Sequence, residues 1–176
     1  MRFISNYLKQ AAFFIASLLF ATCIIAPSVF AAGYTWTDQV AAGSRNWSSI
    51  ASSSDGSHLA AVDNGGDIWT STDSGTTWTN QTAGTSASGQ SWASIASSAD
   101  GTKLAAVENS TGDIWTSTDS GTTWTNQTAG TPASGQLWYG ITSSADGTKL
   151  AAVENDTSND DQQNYQAHNT YSPIWR

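Results

Sequence analysis

Only one cysteine occurs in this sequence, Cys23. It lies within AAFFIASLLFATCIIA, Ala11 to Ala26, an uncharged run preceded by Arg2 and Lys9 as the only early charges. The run is shorter than the ~20 residues a membrane-spanning helix needs, and Pro27 and the small-residue pattern Val29-Phe30-Ala31 follow it. Residues 1–31 therefore read as a signal peptide, cleaved after Ala31 or Ala32; an uncleaved anchor is the alternative. Phe20-Ala21-Thr22 matches a lipoprotein box poorly, so Cys23 reads as an apolar residue that leaves with the peptide. The remaining chain is then expected to be secreted or periplasmic, without a membrane span, a disulfide, a Cys-ligated metal or a Cys nucleophile. Its stability has to come from packing.

Positive charge is also scarce, with six Lys and Arg against fourteen Asp and Glu. Without Arg2 and Lys9, four basic residues remain, for a formal charge of −10. Those four, Arg45, Lys103, Lys149 and Arg176, are scattered, whereas nucleic-acid binding needs clustered cations to neutralise phosphates. No nucleic-acid partner is expected. The two histidines, His58 and His168, have no metal-ligand spacing between them, and Asp156, Asp160 and Asp161 read as a solvated loop in preference to a Ca2+ site. No Gly-rich phosphate loop or nucleophile elbow occurs either, so neither a metal nor a cofactor is expected.

What the sequence does contain is itself, repeated. GDIWTSTDSGTTWTNQTAGT at Gly66 to Thr85 recurs unchanged at Gly112 to Thr131, and SSADGTKLAAVEN at Ser97 to Asn109 recurs at Ser143 to Asn155. Trp47, Trp92 and Trp138 mark equivalent points, 45 and 46 residues apart. A period in the mid-forties built from short strands is that of propeller blades. The units fall near 47–91, 92–137 and 138–155 within a repeat region of 32–155, leaving 156–176 as an irregular acidic tail.

Each unit divides into four strand-like runs parted by turn residues: Trp47 to Ser52, His58 to Asp63, Asp67 to Thr72 and Thr76 to Thr82 in the first. The second run, LAAV, is continuously apolar, which predicts a strand covered on both faces. Tyr34 to Gln39 (YTWTDQ) resembles TTWTNQ and is expected to be a fourth strand, and Pro173-Ile174-Trp175 corresponds to the Asp-Ile-Trp of a third strand. The expected fold class is all-β, with propeller-type four-stranded antiparallel meanders making about three blades. Closed propellers have roughly 4 to 8 blades, so such an arc is either partial or closed by a second copy as a homo-oligomer.

STDSGTTW, which occurs at Ser71 to Trp78 and at Ser117 to Trp124, supplies what a tight turn requires. Its Asp accepts from backbone N–H groups just ahead, its Gly takes a positive φ, and its Trp anchors the next strand. The pattern Ser71, Asp73, Gly75, Thr77, Trp78, repeated as Ser117, Asp119, Gly121, Thr123, Trp124, resembles the Asp-box, or BNR repeat, of sialidases and other secreted β-propellers. In that family the motif lies between the third and fourth strands, away from the active site. The resemblance thus implies a structural role for these ten residues.

It does not extend to catalysis. Sialidases of the family hold the substrate carboxylate with three arginines, whereas only Arg45 and Arg176 remain here. The related endoglucanase-like propellers use paired aspartates between two full propellers, which this length cannot form. No catalytic residue is assigned. The expected function is that of a non-catalytic binding or scaffold module for a glycan or a protein; a partial or degraded glycosidase, or a non-functional fragment, is the alternative. Trp47, Trp92, Trp138 and Tyr139 open the first strands once per unit and are the candidate ligand-binding residues. Packing between blades is the competing reading of the same rings.

Overall fold

The computed structural model describes residues 35–110 and 112–154. Its contacts divide the chain into Met1–Thr37 and Asp38–Arg176. Of the first unit only residues 35–37 are described; they form no strand, and Trp36 is exposed. All that follows concerns the second unit.

Ten strands and no helix occur among the described residues. The first repeat forms β1 (Trp47–Ser52), β2 (Leu59–Gly66), β3 (Ile68–Ser71) and β4 (Thr79–Asn80). The second forms β5 (Gln90–Ser97), β6 (Leu104–Glu108), β7 (Ile114–Ser117) and β8 (Thr125–Asn126), and the third forms β9 (Trp138–Ser143) and β10 (Leu150–Glu154). Within each repeat the strands pair antiparallel in chain order, giving two full meanders and the first half of a third. The fold is all-β. Corresponding ladders keep one register: Ala61 lies opposite Ile50 and Trp69, Ala106 opposite Ile95 and Trp115, and Ala152 opposite Ile141.

The expected runs differ from the observed strands most at the fourth position. Thr76 to Thr82 shrinks to Thr79–Asn80 because backbone donors at both ends of the run are spent locally, although the Gln81 N–H still donates to the Ile68 carbonyl. The N–H groups of Thr76 and Thr77 go to the Asp73 carbonyl and carboxylate, and those of Thr82 and Ala83 go to the Asn80 side chain. Residues 35–39, expected as a fourth strand, form none. Such a strand needs a third strand beside it, and its counterpart in the last repeat would follow β10, outside the described residues. Pro173-Ile174-Trp175 and the acidic cluster at Asp156, Asp160 and Asp161 lie there too.

Consecutive repeats stack face against face. β2 runs past β3 to pair with β5 at Asn64 and Gly66, joining the first two repeats into one sheet. The Ser54 N–H donates to the Ala99 carbonyl at 2.8 Å and the Ala99 N–H to the Ala145 carbonyl at 2.7 Å, tying three successive turns together. The approach is close enough that a Cβ on Gly101 would stand 2.5 Å from His58 Cβ, and one on Gly147 2.7 Å from Lys103 Cβ. Small residues at these points let the sheets meet.

The core lies between the sheets. Ala60, Val62, Ile68 and Ala87 of the first repeat meet Trp92, Ile95, Leu104, Ala106 and Trp115 of the second. Val107 and Ile114 in turn meet Trp138 of the third, with Ala93, Ile141 and Ala152 against them. Every residue of β6, LAAVE, is buried, as its unbroken apolar run predicts for a strand covered on both faces. Of the same five residues in β10, four are only partly buried and Val153 is exposed.

Candidate functional site

The two STDSGTTW turns are superposable hydrogen-bond circuits. Ser71 Oγ donates to Asp73 Oδ1 at 2.8 Å and accepts from the Gly75 N–H at 2.9 Å. The Thr77 N–H donates to Asp73 Oδ1 at 2.8 Å and Thr77 Oγ1 to Asp73 Oδ2 at 2.7 Å, so both carboxylate oxygens are engaged. Ser117, Asp119, Gly121 and Thr123 repeat these contacts at 2.6 to 2.9 Å. Ser74 and Ser120 take φ of 58° and Gly75 and Gly121 take 89° and 91°, the left-handed bend that brings the donors round. Thr77, its hydroxyl first and then its N–H, holds the Asp73 carboxyl down at about 2. Such a carboxylate is ionised and fully coordinated, unlike a general acid poised near neutrality.

The anchoring tryptophans differ between the turns. Trp78 Nε1 donates to the Gly75 carbonyl at 3.0 Å, whereas Trp124 packs against the core with its Nε1 buried and unpartnered among the described residues. Trp78 lies on the first repeat, whose outward side meets no other repeat among the described residues, and Trp124 lies between two repeats.

The four candidate ligand residues do not converge. Trp92 is fully buried, edge-on to Trp115 with centroids 6.2 Å apart, and Trp138 is 4% exposed with Nε1 donating to the Gly112 carbonyl at 3.1 Å. Trp47 is partly open, wedged between Trp69 and Trp78 at 6.5 and 6.4 Å. Tyr139 alone is largely exposed. The alternation of strand side chains explains the divergence: Trp138 and Tyr139 are neighbours in β9 and so face opposite sides of it.

Arg45 flanks the first repeat. The Arg45 guanidinium lies 4.0 Å above the Trp69 ring and 4.0 Å from the Asp63 carboxylate. In the second repeat Glu108 replaces Asp63, reaches one methylene further, and accepts from Trp115 Nε1. With the shorter Asp63, Trp69 Nε1 is left unpartnered among the described residues. Asp67 is partly buried, which opposes ionisation. Side-chain donors from Asn80, Ser88 and Thr82 outweigh that and lower its carboxyl below the usual range.

Sequence reasoning missed an apolar groove between the second and third repeats, a cavity of about 370 Å³. One wall is Ile114, Thr128, Pro132 and Ala133; the other is Trp138, Ile141, Leu150 and Ala152. Between the first and second repeats the corresponding space holds Trp115 and Trp124. The signal was present in the sequence: where VDN and VEN lead through GGD and STGD to IWTSTDSGTTW in the first two units, VEN is followed by DTSNDDQQ in the third.

No protein-family model matches the chain, and no curated protein does. Solved structures do. One is YCF48 bound to D1 peptide, at 17% identity over 63% of this chain and 35% of that one, with a TM-score of 0.52. The fold is that of a partial β-propeller. Others are the GH74 enzyme of Niastella koreensis (21% identity, 61% of this chain and 16% of that one, TM-score 0.46) and the GH74 xyloglucanase from Xanthomonas campestris (16%, 56% and 15%, TM-score 0.42). The chain thus spans about a third of the first and about a sixth of the other two. At these identities the likeness reaches the fold alone.

Proposed function

We propose that this chain is an exported, non-catalytic propeller-repeat module of Asp-box type that binds an extended segment of another protein. The observation that carries this reading is the groove beside β10. Its walls are apolar, and β10 pairs only with β9 among the described strands, so backbone hydrogen bonds and a side-chain pocket lie side by side. Those are the two elements of recognition by strand addition, in which the backbone supplies affinity and the pocket supplies selectivity.

A protein segment fits these walls better than a glycan. Sugar recognition needs an exposed ring face flanked by hydroxyl-binding side chains, and two of the three repeated tryptophans are buried between sheets. Glycosidase chemistry needs a carboxylic acid free to give up a proton, and Asp73 and Asp119 spend their oxygens within their own turns. Export rests on the uncharged run from Ala11 to Ala26 and the small residues after it.

Two measurements test the reading. The exported protein is screened in parallel against immobilised peptides and glycans and assayed on a fluorogenic sialoside; peptide binding without turnover is expected. Binding to glycans alone, or turnover, would overturn it. N-terminal sequencing of exported material is expected to begin at Ala32 or Gly33.

A further inference from the structure

The groove has an internal template. Between the first two repeats, Ile68, Thr82 and Ala87 face Trp92, Ile95, Leu104 and Ala106, and the space between is closed by Trp115 of β7 together with Trp124. Between the second and third repeats, Ile114, Thr128 and Ala133 face Trp138, Ile141, Leu150 and Ala152. These are the same residue types at the same repeat positions on both walls. What differs is the filler, which has no counterpart among the described residues.

The register says how a filler would sit. In the second repeat Ile114 lies opposite Val107 and Trp115 opposite Ala106; in the first, Ile68 lies opposite Val62 and Trp69 opposite Ala61. β10 holds Val153 and Ala152 in the same register against β9. Val153 is 42% exposed, whereas Val107 and Val62 are not exposed at all. Ala152 lines the groove on the strand face that Trp115 covers beside Ala106, and Val153 lies on the other face, where Val107 in the second repeat meets Ile114 and Trp138.

Resting on the reading of the chain as a binder of extended protein segments, we infer that its partner segment carries an aliphatic residue followed by tryptophan. The segment pairs antiparallel with Leu150–Val153, sets its tryptophan opposite Ala152, and drives the indole into the groove against Trp138 and Ile114. The aliphatic residue lies opposite Val153. Two features argue for this chemistry: the equivalent ladder of the second repeat sets an aliphatic residue opposite Val107 and a tryptophan opposite Ala106, and the cavity of about 370 Å³ stands where two tryptophans pack one repeat earlier. An anchor of this kind concentrates binding energy in one desolvated ring.

The test uses the full chain and a synthetic peptide, Gly-Asp-Ile-Trp-Thr-Ser-Thr, which repeats residues 112–118. Calorimetry is expected to show saturable binding that weakens at least about thirtyfold when the peptide's tryptophan becomes alanine. Hydrogen exchange of the β10 amides is expected to slow on binding. Ala133→Phe, which places a ring in the groove, should abolish binding while leaving the fold intact by circular dichroism. Equal affinity for the two peptides would overturn the inference and leave the broader reading standing; no binding by either peptide, or by any in a peptide screen, would overturn both. Binding by a Trp175→Ala variant but not by the unaltered chain would also overturn it, since the groove would then belong to the chain's own tail.

Discussion

Ile50 and Ile95 occupy the same position in consecutive repeats, each opposite the central alanine of the neighbouring strand, yet Ile50 is 62% exposed and Ile95 only 4%. Ile95 is covered by the first repeat, and among the described residues no repeat covers Ile50 in the same way. Identical chemistry thus has two energetic values. Ile95→Ala is expected to destabilise the protein by about 2 to 5 kcal/mol, and Ile50→Ala by no more than about 0.5 kcal/mol, in urea unfolding followed by tryptophan fluorescence. Equal effects would mean that the first repeat's outward face is buried in solution.

Trp92 closes the larger core. Its replacement by alanine removes a fully buried ring and its edge-on contact with Trp115, with an expected loss of about 3 to 5 kcal/mol. Trp92→Phe keeps a ring and should cost less, in part because the Trp92 indole N–H has no partner among the described residues to forfeit. Thermal unfolding of the two variants checks the order.

The close stacking at Gly101 can be separated from its backbone conformation. Gly101 and Gly84 have nearly equal positive φ, 74° and 75°, but only at Gly101 would a Cβ meet a neighbour, His58 Cβ at 2.5 Å. Gly84→Ala therefore reports backbone strain alone, of order 1 kcal/mol, and Gly101→Ala that strain plus a forced separation of two sheets. The second variant should melt lower, and the gap between them measures the packing contribution.

Acid should loosen the turns. The Asp55, Asp73 and Asp100 carboxyls are each held at about 2, Asp55 chiefly by the Ser53 hydroxyl, Asp73 by Thr77 and Asp100 by Ser98. A folded-state value below the unfolded value of ~3.9 means stability that is fully present above the unfolded value and is lost as pH falls through the folded one. The melting temperature is expected to be insensitive to these groups above pH ~5 and to fall between about pH 4 and pH 2. Asp73→Asn should melt lower at neutral pH and show a shallower decline in that window. A decline as steep as that of the unaltered protein would mean that Asp73 is not among the groups responsible.

Much of the fold is legible because turn chemistry is local. Asp73, Gly75 and Thr77 form their circuit from residues within a few positions of one another, so the motif alone marks where β3 stops and a new strand can begin. The four-part division of each repeat is likewise written in its Gly and Asp spacing. The shrinkage of β4 was not legible, because it depends on donors being claimed by Asp73 and Asn80 before any ladder can form. Nor was the fate of the aromatic residues, since Trp47, Trp92 and Trp138 open equivalent strands and differ only in what lies across from them.

The limit is plainest in LAAVE. Sequence by itself determined that this run is a strand, that it repeats, and that it is apolar enough to be buried on both faces. At 104–108 it is wholly buried, and at 150–154 the same five residues are half open beside an apolar groove. Burial is a property of the surface brought against a strand. That surface comes from a neighbouring repeat some 46 residues away in sequence, so only the tertiary arrangement could decide which copy became core and which was left half open.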